Sequence, residues 1–112
     1  MRLLLFFLIL ITVSSCKQAT YCGSNKPIKD IGWIKNFLNA NTANKVRIYS
    51  VTYLSQEGFL TEVCTNQDCN AFYGQFKDCA GTAICNTGLS GSAGQCLDFY
   101  SGVSHLELIY SN

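Results

Sequence analysis

The amino-acid sequence predicts an α+β domain: one short N-terminal helix packed on an antiparallel sheet of four to five strands, stapled by disulfides. Three observations predict it. Apolar residues recur at the spacing of one helical face at Trp33, Ile34, Phe37 and Leu38. Short runs rich in β-branched and aromatic residues follow, separated by turn-forming residues. Seven cysteines stand in a chain of 112 residues, and five of them fall between Cys64 and Cys96. A chain of this length holds one domain, and its sequence shows no internal repeat.

Residues 1–15 have the make-up of an export signal: Arg2, an apolar run over residues 3–13, then the small Ser14 and Ser15. As a helix that run spans roughly 16 Å, about half of a bilayer core, which is too short for a permanent membrane span. The junction Val13-Ser14-Ser15-Cys16 resembles the bacterial lipobox, an aliphatic residue and two small ones before an obligatory cysteine. The resemblance implies that Cys16 carries fatty acyl chains such as palmitate and becomes the N-terminus after cleavage. Each buried CH₂ contributes about 0.8 kcal/mol, so two or three chains hold a protein at a membrane almost permanently. The plainer account is an ordinary signal cut near Ser15, with Cys16 in a disulfide. Reserving Cys16 for lipid leaves six cysteines, an even number that can pair completely.

Residues 16–29, which hold the only proline, Pro27, and no hydrophobic period, are expected to form a lipid-anchored tether. Lys17 stands where lipoproteins retained in the inner membrane often carry Asp, so the sorting rule implies the outer membrane. The tether has no acidic run of the kind that directs lipoproteins to the cell surface, which favours the periplasmic face. Without Arg2, seven Lys and Arg balance seven Asp and Glu, and the absence of a basic run excludes a nucleic-acid partner.

The body is expected over residues 30–112. Asp30 can cap a helix over residues 31–40, with Trp33 and Phe37 as core contacts. Residues 45–54 read as a strand, residues 55–58 as a turn, and residues 59–64 as the returning strand. A second hairpin is expected over residues 70–85, with Phe72, Tyr73 and Phe76 on its first strand and a turn at Asp78-Cys79-Ala80-Gly81. Residues 86–95 read as a loop. In the last strand, residues 105–110, Leu106, Leu108 and Tyr110 alternate with His105, Glu107 and Ile109, which predicts one buried face.

Export implies an oxidising compartment, so Cys22, Cys64, Cys69, Cys79, Cys85 and Cys96 read as three disulfides. Six cysteines allow fifteen connectivities. Cys85 and Cys96, which bracket the glycine-rich loop, either pair together or reach Cys64 and Cys69; Cys22 and Cys79 then pair with each other. No metal or cofactor is expected: zinc-like spacing occurs only at Cys64 and Cys69, and His105 is the single histidine. No Cys-x-x-Cys is present for thiol redox chemistry.

Catalytic patterns fare no better. His105 is the one candidate base of its type, and it reads more simply as an exposed strand residue. The loop over residues 88–94 fails the nucleophile-elbow pattern, because Ser92 stands where glycine is required. Asp68, Asp78 and Asp98 are isolated residues in or beside turns.

From Trp33 onward the order of features resembles a family of small lipoprotein domains of Gram-negative bacteria. The features are Trp33-Ile34-Lys35, Tyr49 with Tyr53, Cys69 before an aromatic strand, Asp78 with Gly81, Cys85, the loop over residues 88–94, and Cys96-Leu97-Asp98-Phe99. Cys22, Cys64 and Cys79 depart from that pattern. The resemblance implies an envelope location and adds no activity. The expectation is therefore a non-enzymatic module, bound to the membrane through lipid, that contacts an envelope protein or the cell wall through Gly88, Ser90, Gly91 and Gly94. The alternatives are a small envelope enzyme using His105 or Asp98, and a thiol-redox protein.

Overall fold

The structure, a computed structural model, describes residues 19–89 and 94–112. In chain order it contains α1 (Pro27–Asp30), α2 (Gly32–Ala40), β1 (Val46–Tyr53), β2 (Gln56–Cys64), β3 (Phe72–Asp78), β4 (Ala83–Gly88), α3 (Phe99–Gly102) and β5 (Val103–Ser111). The strands form one antiparallel sheet in the order β4-β3-β2-β1-β5. Strands β1 to β4 are a meander, and β5 returns to the opposite edge.

Alternation along β1 and β2 builds a core on each face of this sheet. Ile48 and Phe59 meet Ile34 of α2 on one face, with Trp33, Phe37 and Leu38 packed around them. Val51, Tyr53, Leu60 and Phe76 point the other way and meet Phe99 of α3 and Cys85. The connection from β4 to β5 crosses this second face, so the sheet is covered by α2 on one side and by that crossing on the other. The α+β class with five strands is as the sequence predicts.

Several boundaries differ from expectation. The expected turn over residues 55–58 is a strand from Gln56 onward, and the chain reverses at Leu54 and Ser55, both with positive φ (49° and 65°). That is the geometry of a primed two-residue hairpin, usually signalled by Asn-Gly. Gly58 pairs with Val51 in the ladder, and its missing side chain admits the Lys77 carbonyl and the Phe76 ring. The helix does not start at an Asp30 cap. Ile31 interrupts it with extended backbone (φ −89°, ψ 113°), and the Asp30 carboxylate accepts from Ser24 Oγ at 3.4 Å. Within the expected tether, residues 21–28 lie against the body: Tyr21, Cys22 and Ile28 pack on the α2-side core, and Pro27 is buried at the start of α1.

The β3–β4 turn forms where Asp78 and Gly81 predict it. Asp78 Oδ1 accepts from the Ala80 and Thr82 amides, at 3.0 and 2.9 Å. Gly81 has φ +90° and carries the Trp33 ring against its α-carbon, while Trp33 Nε1 donates to the Cys79 carbonyl at 3.0 Å. Strand β4 runs three residues beyond the expected end at Cys85, because Asn86, Thr87 and Gly88 pair with Gln75, Gly74 and Tyr73. On β5 the predicted buried face is not buried: Leu106 and Leu108 are 42% and 51% exposed. The crossing segment deposits Phe99 over Tyr53 and Phe76 and then enters β5 itself, so the core it builds stops short of those leucines.

Gly81→Ala should destabilise the domain by about 2 kcal/mol, since a Cβ there lies 2.6 Å from Trp33 Cγ on left-handed backbone. Gly32→Ala, with open space around it, should stabilise by about 0.5 kcal/mol through helix propensity. Urea unfolding of the two variants checks the contrast.

Candidate functional site

The six described cysteines pair with one another. Cys22–Cys79, Cys64–Cys69 and Cys85–Cys96 have Cα separations of 5.5, 4.8 and 4.9 Å. Of the two arrangements left open above, Cys85 therefore pairs with Cys96, and the short-range pair Cys64–Cys69 closes on itself. Cys22 and Cys79 bridge as expected. The Cys22 and Cys79 sulfurs also lie within 4.8 Å of a Glu57 carboxylate oxygen, an arrangement that suggests a metal site by proximity. With the sulfurs joined to each other, neither offers a thiolate ligand. The Glu57 carboxylate instead accepts from the Cys22 amide at 2.6 Å.

The candidate binding loop is held at both ends. Gly88 is paired to Tyr73, and the next amide, Leu89, donates to the Phe72 carbonyl at 2.9 Å. On the returning side the Asn86 amide donates to the Gly94 carbonyl at 2.8 Å, and the Cys96 amide donates to the Asn86 carbonyl at 2.9 Å. One residue of β4, Asn86, thus fastens the return of the loop along the outer edge of the sheet. Ser90 and Gly91, two of the four expected contact residues, lie outside the described residues. Beside the base of the loop, Tyr73 and Leu89 are exposed.

A second cluster, on the α2 side of β1 and β5, includes a residue the sequence did not single out. Ser50 Oγ lies 2.7 Å from His105 Nε2, and Glu107 Oε2 lies 3.7 Å from the same nitrogen. Tyr21 donates its hydroxyl to Glu107 Oε2 at 3.0 Å, and that bond, with burial and the carboxylate charge, raises the Tyr21 pKa above its ordinary value. Ser50 sits mid-strand without a motif, and only the β1–β5 pairing brings it to His105. The distances are those of a nucleophile and its base, but two features oppose that use. Ser50 is 4% exposed. The carboxylate approaches the nitrogen that already holds the serine, whereas a relay needs it on the other ring nitrogen. Asp98 lies elsewhere, as the left-handed residue (φ 42°) before α3.

On the opposite face Arg47 and Glu62 are partners across β1 and β2, with Arg47 Nε 2.7 Å from Glu62 Oε1 and the guanidinium 5.5 Å from the Phe72 ring centre. Glu62 is 3% exposed, and burial pushes its carboxyl above the ordinary range despite the neighbouring guanidinium. A group whose folded pKa is raised contributes stability below its unfolded pKa, and that contribution is lost as pH rises through the folded value.

The wild type should therefore lose stability through this group as pH rises above 4.5, its ordinary value, and Glu62→Gln should flatten that part of the profile. Thermal unfolding of both proteins between about pH 4 and 7 measures it, and parallel profiles would contradict the assignment.

No protein-family model, no curated protein and no solved structure matches the chain, so the family resemblance rests on its spaced motifs alone.

Proposed function

We propose that the chain is an exported domain of the bacterial envelope, held through lipid on Cys16 at the periplasmic face of the outer membrane, and that it acts by binding an envelope protein or the cell wall. The observation that carries this reading is the complete pairing of the six body cysteines. It leaves no cysteine in the chain to bond Cys16, which stands at the end of a lipobox-like junction outside the described residues. The Cys22–Cys79 bridge begins six residues after Cys16. At about 3.5 Å per extended residue it keeps the body within roughly 20 Å of the anchor.

A binding role is favoured by how the loop after Gly88 is mounted. The residues that flank the glycine-rich segment are closed by the Cys85–Cys96 bridge and fastened by Asn86, and binding residues commonly sit on loops mounted on a scaffold held in this way. Catalysis at His105 is disfavoured by the buried serine and the misplaced carboxylate.

Labelling of cells with a palmitate analogue should mark the wild type, and Cys16→Ala should abolish the label; unchanged labelling of that variant would refute the anchor. Replacement of residues 89–93 by a Ser-rich segment should abolish crosslinking to an envelope partner without lowering thermal stability. Retention of the same crosslink would reject the loop.

A further inference from the structure

We infer that the outer edge of β5 is an interface with a second copy of this chain, the two β5 strands pairing antiparallel about a two-fold axis at Leu106 so that two five-stranded sheets become one of ten. The two edges of the sheet are treated differently. The β4 edge is overlaid by residues 94–96, strapped to Asn86. The β5 edge pairs with β1 alone among the described residues, and it is nine residues long. A long edge strand with uncovered backbone donors and acceptors is a template for another strand.

The sequence of β5 selects both the partner and the register. Its pairing with β1 is regular from His105 to Leu108 and irregular on either side. Within that stretch Leu106 and Leu108 stand on one face, exposed, and His105 and Glu107 on the other, 45% and 49% exposed. Residues directly opposite in an antiparallel pair share a face, so the symmetric registers are those centred on a residue. Centring on Glu107 sets carboxylate against carboxylate. Centring on His105 sets imidazole against imidazole, and centring on Leu108 leaves Glu107 opposite Ile109. Only the axis at Leu106 sets His105 opposite Glu107 of the second copy, twice, while Leu106 meets its own equivalent. A groove of about 420 Å³ lies beside Glu107, Leu108 and Ile109, bounded by Tyr21, Lys26, Ile28 and Lys29, and it leaves room for the imidazole of the second copy to approach Glu107. The surface is thus complementary to itself in polar pairing, imidazole to carboxylate, and in apolar contact, the requirement for a two-fold interface.

The inference is independent of the anchor and of the loop, and an exchange of the paired residues tests it. In the full chain, solubilised in mild detergent, sedimentation should show a concentration-dependent dimer. His105→Glu should weaken it by about tenfold, since two cross-strand pairs become repulsive. Adding Glu107→His to that variant exchanges the two residues and should restore the wild-type dimer. Leu106→Lys, a change at an exposed position, should give a monomer with unchanged thermal unfolding and so separates loss of contact from loss of fold. A wild type that stays monomeric at about 100 μM, far above the Kd of a specific dimer, would overturn the inference. So would a dimer unaffected by Leu106→Lys, or failure of the exchanged pair to restore association.

Discussion

The return of the chain from β4 to β5 governs the rest of the architecture. These strands lie at opposite edges of the sheet, so at about 4.8 Å per strand the connection must traverse roughly 19 Å. It does so over the face that α2 leaves open. The Cys85–Cys96 bridge fixes where that crossing begins, and the burial of Phe99 against Tyr53 and Phe76 fixes where it ends. Tyr53 also donates its hydroxyl to the Leu97 carbonyl, tying the crossing to the strand beneath it. Without this segment Val51, Leu60 and Phe76 would face water, and the sheet would keep only its α2-side core.

The three disulfides do different work around that frame. In the chain-entropy account, stabilisation grows with the length of chain enclosed, so Cys22–Cys79, separated by 57 residues, contributes most, about 4 kcal/mol. It ties the N-terminal segment to the β3–β4 turn, where Trp33 already packs on Gly81 and Lys77 lies over the Trp33 and Phe37 rings at 5.3 and 4.6 Å. Burial there lowers the Lys77 pKa from its usual range. Cys64–Cys69 encloses the shortest loop and contributes least by the same account. Its effect is local: with the Cys69 amide bonded to the Asn66 carbonyl, it holds the β2–β3 connection in a tight reversal.

The elements that could be read from sequence are those whose signals are local. The α2 helix announces itself through a one-face apolar period, β1 through β-branched residues, and the β3–β4 turn through Asp78 and Gly81. What escaped depends on partners distant in sequence. Asn86 and Gly88 have low strand propensity and extend β4 because Gln75 and Tyr73 lie opposite. The alternation in β5 shows two faces but cannot show that the crossing segment stops short of one of them. The candidate site divides in the same way. The cysteines announce disulfides through their number, and their connectivity needed the fold. The Ser50–His105 contact spans 55 residues and follows from strand pairing alone.

The β1–β2 hairpin shows how a buried charge can substitute for turn chemistry. Leu54 and Ser55 adopt a primed turn without the residues that favour one, so the turn by itself specifies register weakly. A slip of one residue would turn either Ile48 or Phe59 away from α2, and patterning forbids it. A slip of two preserves the faces, and only the identity of facing residues opposes it. In the native register Arg47 stands opposite Glu62. Slipped by two, Glu62 would face Tyr49 while Arg47 faced Cys64, or Glu62 would face Lys45 while Arg47 faced Leu60. With Tyr49 opposite, the buried carboxylate would have no cation directly across the ladder. With Lys45 opposite, Arg47 would lie against the buried Leu60 with no carboxylate across from it. A buried ion pair adds little net stability compared with an apolar pair, but a separated one is costly. The Arg47–Glu62 pair therefore acts mainly by penalising the wrong hairpin. The β5 register depends on the position of β1, so this constraint reaches the far edge of the sheet as well.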